Sequence, residues 1–151
     1  MLKIGSWTMA LALCLLSATA HADGEGSAMA TAHRLLEAFN QHDPKAMAAL
    51  VDENFELYYF SDGKAELSAK GRADLQAQMT DYFASHQTVR SVVEGQIDGP
   101  RFATFRERAI SLRDGVERSA SSLAVYEVVD GSILRVWYYP AEAPRSVPPA
   151  E

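Results

Sequence analysis

The rhythm of apolar and polar positions changes along this chain, and each change predicts a different element. After Lys3 no charged residue occurs from Ile4 to Thr19, and Met9 to Leu16 reads MALALCLL before the Ala20-His21-Ala22 exit. A short positive start, an apolar middle and an A-x-A exit predict a secretory signal peptide over residues 1–22, cut between Ala22 and Asp23. The stretch is too short for a membrane span. Residues 23–27 read as a flexible lead. Ala28, Ala32, Leu35, Leu36 and Phe39 then recur at helical spacing up to Gln41. His42-Asp43-Pro44 breaks that stripe, with Asp43 placed to cap a second helix and Pro44 in its first turn. This helix runs to Val51, with Ala46, Met47 and Leu50 on its apolar face.

Asp52-Glu53-Asn54 reads as a turn, and Phe55 to Phe60 as an aromatic strand. A third helix is predicted from Arg72 to Ala84, with Leu75, Met79, Tyr82 and Phe83 inside and Gln76 and Gln78 toward solvent. From there the period falls to two. Strands are predicted over Val89–Ile97, Arg101–Leu112, Val116–Val129 and Ile133–Tyr139, with Asp114-Gly115 and Asp130-Gly131 as hairpin turns. The order predicts one α+β domain over residues 28–140: a cone-like, curved, mostly antiparallel sheet packed on three N-terminal helices, with a pocket between them. The proline-rich tail, residues 141–151, falls outside it.

Composition narrows the chemistry. The chain has 151 residues with 14 Lys+Arg against 20 Asp+Glu, a net charge of −6. Cleavage after Ala22 leaves 129 residues, removes Lys3 and takes the balance to −7. One domain with a real core fits that length. No basic excess exists to engage a nucleic-acid backbone. The lone cysteine, Cys14, leaves with the signal, which excludes thiol chemistry and thiolate metal ligation. Leu13 directly before Cys14 fits a lipoprotein cleavage box poorly, so the expected protein is periplasmic or secreted and not lipidated. His33, His42 and His86 are scattered across a helix, a linker and a helix end, so no metal set is expected. No phosphate loop or dinucleotide fingerprint occurs, and no cofactor is expected.

The run Leu35 to Val51, with Asn40, Asp43 and Leu50 in place, resembles the opening of the nuclear transport factor 2-like (NTF2-like) superfamily. Phe55-Glu56-Leu57, Gly71-Arg72-Ala73-Asp74-Leu75 and Ile133-Leu134-Arg135-Val136-Trp137 match later elements. The chain looks most like the SnoaL-like branch, which includes polyketide cyclases and resembles the ketosteroid isomerases. The resemblance implies a cystatin-like roll holding a pocket. It also implies a carboxylate base on the first strand, but that place falls at Tyr59. The oxyanion-hole tyrosine would fall near Leu35 and the protonated acid of the hole near Ser122. None of the three supplies its usual group. The cyclase relatives use a His and an Asp in the pocket, and the predicted sheet has no histidine.

Glu107 is the one acid–base candidate. It alternates with Ala103, Phe105 and Ala109, a small and apolar face, while Arg106 and Arg108 take the other. A cross-strand pair with Arg118 is the plainer reading for this charged stretch. Phe55, Leu57, Tyr59, Tyr82, Phe105 and Trp137 are the candidate pocket lining. Ser119, Ser121 and Ser122 lie with Ala120 and Ala124 on a strand whose small side chains would enlarge a cavity, without a nucleophile elbow. Two functions follow. The first is an exported, non-catalytic domain that binds a small apolar ligand or a protein, as a homodimer through its sheet. The second is an isomerase-, cyclase- or hydrolase-like enzyme acting on a small apolar substrate with Glu107 as acid/base. They separate on whether Glu107 and Tyr59 converge in one cavity or Glu107 pairs with Arg118 at the surface.

Overall fold

The computed structural model describes residues 27–141. The predicted signal peptide, most of the lead and all but the first residue of the tail lie outside the described residues. Helices α1 (Ala28–Asn40) and α2 (Pro44–Ala49) come first, followed by strands β1 (Val51–Ser61) and β2 (Lys64–Lys70). Helix α3 (Gly71–Ser85) then precedes β3 (Arg90–Asp98), β4 (Phe102–Arg113), β5 (Val116–Val129) and β6 (Ser132–Ala141).

Local chemistry explains the element ends. The Ser27 side chain accepts from the Ala30 N–H at 3.1 Å, and Asp43 Oδ1 accepts from the Ala46 N–H at 2.9 Å with Pro44 in the first turn. Three Asp-Gly pairs turn the chain: Asp62 and Gly63 have φ of 49° and 75°, Asp114 and Gly115 53° and 75°, Asp130 and Gly131 50° and 77°. Positive φ at both central residues is the type I′ geometry, whose twist matches that of paired strands.

The strand order is β2-β1-β6-β5-β4-β3. All neighbours are antiparallel except β1 and β6, which run parallel. The helices cover one face. Cross-strand register places Ala103, Tyr126, Val136 and Leu57 in one row of that face, and Phe105, Ala124, Tyr138 and Tyr59 in the next. Phe55, Leu57, Ala103, Phe105, Tyr126, Ile133 and Val136 are buried there beneath Ala32, Leu35, Leu75, Met79 and Phe83. Asn40 joins α1 to β3 by a two-way amide contact: its Nδ2 donates to Ser91 O at 2.9 Å, and Ser91 N–H donates to its Oδ1 at 2.6 Å.

Three expectations need correction. The sheet is open and mixed: β2 and β3 are its edges and do not pair, so the strongly curved, cone-like roll is not the observed architecture. Long strands do not by themselves demand closure, and the register shifts at Leu57/Tyr58, Val93/Gly95 and Glu127/Val128 interrupt the pairing locally without joining the two edges. The helices are not all N-terminal: α3 follows β1 and also β2, Lys64–Lys70, a strand where none was predicted. Asp52-Glu53-Asn54 lies inside β1, in the irregular stretch between its Val51 and Glu56 pairings with β6. No helix among the described residues is long and apolar enough to cross a membrane.

Gly71 opens α3 at φ 79°, and a Cβ there would stand 3.1 Å from the Glu53 carbonyl oxygen on β1. Gly71→Ala adds left-handed strain to a close backbone contact. It is expected to lower stability by about 1–3 kcal/mol, read as a lower denaturant midpoint with an unchanged slope.

Candidate active site

A cavity of about 500 Å³ lies between the helices and the covered face of the sheet. Its walls are mostly apolar, with Leu35, Phe39, Phe55, Leu57, Met79 and Val136 among them. Room is made on the sheet side by Ala109, Ala120, Ser121 and Ser122. Among the described residues that line it, Glu107 is the only Asp or Glu and none is Lys, Arg or His.

Glu107 is 4% exposed. Register sets it opposite Ser122 on β5 and Val93 on β3, within the covered face. Tyr126 Oη donates to Glu107 Oε1, and Ser91 Oγ donates to Oε2 at 3.2 Å. Tyr138 Oη stands 3.0 Å from Tyr126 Oη. The hydroxyl of Tyr126 has one proton and gives it to Glu107, so Tyr138 donates to Tyr126 when the carboxyl is ionised. The result is a chain of two phenols ending on a buried acid. Burial pushes the Glu107 carboxyl up to about 7, against the hydrogen bonds from Tyr126 and Ser91 that favour its ionised form. Burial also raises the Tyr126 and Tyr138 phenols well above their usual range.

Tyr59 stacks on Tyr138 with ring centres 5.3 Å apart and planes 17° apart. Desolvation raises the Tyr59 phenol, with Tyr82 and Glu107 adding to it. Tyr82 lines the same cavity, and burial raises its phenol too. Asn40 holds the Ser91 backbone from outside the cavity, which positions the Oγ that faces Glu107.

Of the sequence candidates, Phe55, Leu57, Tyr59, Tyr82 and Glu107 meet in this cavity. Phe105 does not line it: the ring is fully buried between His33, at 4.7 Å, and Tyr126, at 5.4 Å. Trp137 pairs with Tyr58 and Val125 on the opposite face. Tyr138, its neighbour, is the residue that enters. Leu35, Tyr59 and Ser122, the places matched to isomerase groups, all line the cavity, but the carboxyl comes from Glu107, across the strand from Ser122.

The ion pairs lie elsewhere. Arg106 and Arg108 reach Glu94 on β3 at 3.2 and 2.7 Å, and Arg118 sits opposite Ser111. The histidines serve structure. His42 Nε2 is 2.7 Å from Val89 O, His33 Nε2 is 3.0 Å from Gln96 Oε1, and His86 stacks on Tyr82. Among the described residues, no three His, Cys, Asp or Glu gather as a metal would require.

Sequence reasoning missed Tyr126, Tyr138, Ser91 and Gln78. Gln78 lines the cavity at i+3 from Leu75 instead of facing solvent. The expectation of a non-catalytic binding domain is corrected here. A deeply buried carboxyl that lacks a cation, holds two hydroxyl donors and faces a ligand-sized cavity is more consistent with a catalytic role than with a binding role alone.

Solved structures share this fold. An NTF2-like protein of unknown function from Cytophaga hutchinsonii is 15% identical with a TM-score of 0.60, over 77% of this chain and 98% of that one. A protein with a ketosteroid isomerase-like fold from Catenulispora acidiphila, in complex with trimethylamine, is 12% identical with a TM-score of 0.62, over 72% and 83%. The BvnE pinacolase from Penicillium brevicompactum is 15% identical with a TM-score of 0.63, over 74% and 80%. At these identities the likeness shows the fold alone. A comparison with curated proteins finds no match. The family model described as the SnoaL-like domain matches residues 32–136, a stretch that holds the cavity residues named above except Tyr138. The chain belongs to the SnoaL-like domain family, within the NTF2-like superfamily fold.

Proposed function

We propose that this protein is an acid–base enzyme acting on a small, neutral, apolar substrate, with Glu107 as the group that takes and returns a proton. One observation carries the reading: Glu107 is 4% exposed in the wall of an apolar cavity, hydrogen-bonded by Tyr126 and Ser91 and paired with no cation. A carboxyl titrating near 7 is divided between both forms at neutral pH, which suits a general acid or base. Ionised, it accepts from Tyr126 and Ser91 and keeps lone pairs for a substrate proton. Protonated, it returns that proton to another atom of the same molecule. Among the described residues the Tyr59 hydroxyl makes no hydrogen bond within the protein, so it is free to donate to a substrate oxygen on which charge develops. The fold neighbours include an enzyme, the BvnE pinacolase, which supports the reading without naming the reaction.

Export and a homodimer through the sheet belong to the same proposal. The N-terminal pattern of residues 1–22 supports the first. Phe102, Leu123 and Tyr139, exposed at 43%, 41% and 37%, support the second. Native mass spectrometry of protein from its own envelope is expected to give a chain starting at Asp23, present as a pair. A full-length or monomeric species removes the corresponding element.

Two measurements test Glu107. In D₂O, exchange of the α-protons of a panel of neutral, apolar ketones is expected to be accelerated, with a rate that rises through pH 7 as the base ionises. Glu107→Gln is expected to lose about 100-fold or more of it. Unchanged exchange in that variant sinks the role. The second measurement is stability. The folded carboxyl sits at about 7 against 4.5 for the ordinary group, so between these values the native state holds the extra proton. Stability therefore falls as pH rises from about 4.5 to 7 and then levels. Glu107→Gln, which cannot ionise, is expected to gain on the wild type by up to about 3 kcal/mol at pH 8 and by little at pH 4, by denaturant unfolding.

A further inference from the structure

The elements around the cavity carry several arginines, and each is engaged away from it. Arg106 and Arg108 of β4 turn to Glu94, and Arg135 of β6 turns to Glu56 and Glu127. Arg72 of α3 donates to the Val51 carbonyl at 2.7 Å, and Arg34 of α1 donates to Thr31 Oγ1 at 3.2 Å. Among the described residues that line the cavity, none is Lys, Arg or His, and Glu107 is the one acid. Aromatic rings make up much of the rest, namely Phe39, Phe55, Tyr59, Phe60, Tyr82 and Tyr138. Such rings are negative on their faces, and phenol oxygens carry lone pairs besides. Burial raises the Tyr59 and Tyr138 phenols, and the Glu107 charge adds to it in both, so that charge is felt across the space they line.

The second observation concerns access. Tyr59 is 45% exposed, and Ala120 and Pro140 are exposed as well, while all three line the cavity, so its entrance lies among them. The chain as a whole carries a net charge of −6, which draws cations toward it. The third concerns balance. Ionised Glu107 accepts from the neutral hydroxyls of Tyr126 and Ser91, and its oxygens keep lone pairs beyond those two bonds. A neutral ligand leaves the charge uncompensated. A cation compensates it and is also drawn to the rings, an attraction that grows once both are out of water. A primary ammonium brings three N–H donors that each need an acceptor after dehydration. A fully alkylated ammonium brings none, and its surface is apolar like the wall.

We propose that the cavity is a binding site for an organic cation, an alkylated ammonium on an apolar body, with Glu107 as its counter-ion and the aromatic wall around its alkyl groups. The inference goes beyond the acid–base reading and does not depend on it. A neutral substrate meets Glu107 as a base. A cation with no proton to give meets it as a fixed charge and, while bound, keeps the neutral substrate out. Binding follows the ionised form of a carboxyl that burial pushes up to about 7, so affinity rises from pH 5 to pH 8. The other titratable groups that face Glu107 are the phenols of Tyr126 on β5, Tyr138 on β6, Tyr59 on β1 and Tyr82 on α3. Burial raises all four above their ordinary value, so they stay neutral in that range. Strand β3 offers the Ser91 hydroxyl, and α1 and α2 line the cavity with apolar side chains alone. The His86 imidazole stacks on Tyr82, and Glu107→Gln separates its effect from that of the carboxyl.

The test uses two probes of one shape, 4-(trimethylammonio)benzyl alcohol and 4-tert-butylbenzyl alcohol, which differ only in a charged nitrogen for a carbon. Neither titrates between pH 5 and pH 8, so any pH dependence belongs to the protein. Affinities are read by calorimetry on the full mature protein. Wild type is expected to bind the cation about tenfold more tightly than its neutral twin at pH 8, with the preference reduced to about threefold or less at pH 5. Glu107→Gln is expected to bring the two within about threefold at both values. Equal binding of the two probes by wild type at pH 8 overturns the proposal. So does a preference of the same size at pH 5 and pH 8, a tenfold preference kept in Glu107→Gln, or no binding of either probe. The readout is a ratio between two unreactive probes, whereas the base role of Glu107 is read from proton exchange. Exchange indifferent to Glu107→Gln beside a cation preference lost in that variant leaves this inference standing while the acid–base reading fails. Exchange lost in the variant beside equal binding of the probes by wild type gives the reverse.

Discussion

A carboxyl group set into an apolar wall without a cation is the constraint around which this domain is arranged. Two of its glutamates, Glu107 and Glu127, are each 4% exposed, yet they meet opposite fates. Burial pushes the Glu127 carboxyl up, but the Arg101 and Arg135 guanidiniums outweigh it and hold the group below its ordinary value. The contacts are Arg101 Nε at 2.8 Å and Arg135 Nη1 at 3.0 Å, and Arg135 also reaches Glu56 at 3.1 Å. That network clasps the strands together. Glu107 receives hydroxyls only, and burial wins. Partner chemistry, not depth, separates an acid held ionised from one pushed toward its neutral form.

Sheet register decides which glutamate gets which partners. Each strand alternates faces, so Arg106 and Arg108 turn away from the cavity to Glu94 while Glu107 turns into it. Small residues at Ala109, Ala120 and Ser122 leave the space, and Leu35, Leu75 and Met79 from two helices close it from above. The helices are tied at defined points. Asn40 grips the Ser91 backbone, and the Ile133 N–H donates to the Leu50 carbonyl at 3.0 Å, joining the end of α2 to the start of β6. Asn40, Asp43 and Leu50, which carried the family resemblance, thus act as an edge clamp, a helix cap and a strand anchor. They serve the frame and say nothing of the reaction.

Much of the frame was legible because its signals are local. Asp114-Gly115 and Asp130-Gly131 specify type I′ turns within two residues, and the stripe of α1 repeats cleanly. Asp62-Gly63 carries the same turn signal, but Lys64–Lys70 is polar and mostly exposed at a sheet edge, so periodicity gave β2 no apolar face to reveal it. The openness of the sheet depends on which edges pair, and no local pattern encodes that. The site was legible in part for similar reasons. Strict alternation set Glu107 beside Ala103 and Phe105, and β4 kept that parity. Trp137 and Tyr138 were separable only by knowing which face of β6 meets the helices, and the irregularity near Val128 obscures it. Tyr126 reaches Glu107 across strands, a contact that spacing along one strand does not contain.

The distribution of unsatisfied polar chemistry completes the argument. On the outer face, Glu56, Glu94 and Glu127 all have arginine partners, and Tyr58 donates to Glu56 at 3.0 Å. Inside, Phe55, Phe105, Ile133 and Val136 pack against one another and the helices, and the buried Thr31 hydroxyl accepts from Arg34 Nη2 at 3.2 Å. Among the described residues, the cavity wall departs from this pattern at Glu107, a buried carboxyl that receives hydroxyls and no cation. Burial makes the ionised form of that group costly to the folded protein, a cost that an uncharged side chain of similar volume avoids. A scaffold that gives arginine partners to Glu56, Glu94 and Glu127 and sets Glu107 beside a cavity with hydroxyl donors alone concentrates its cost where a ligand can offset it. The acid and the apolar wall around it therefore belong together, since the wall both raises the Glu107 carboxyl and bounds the space beside it.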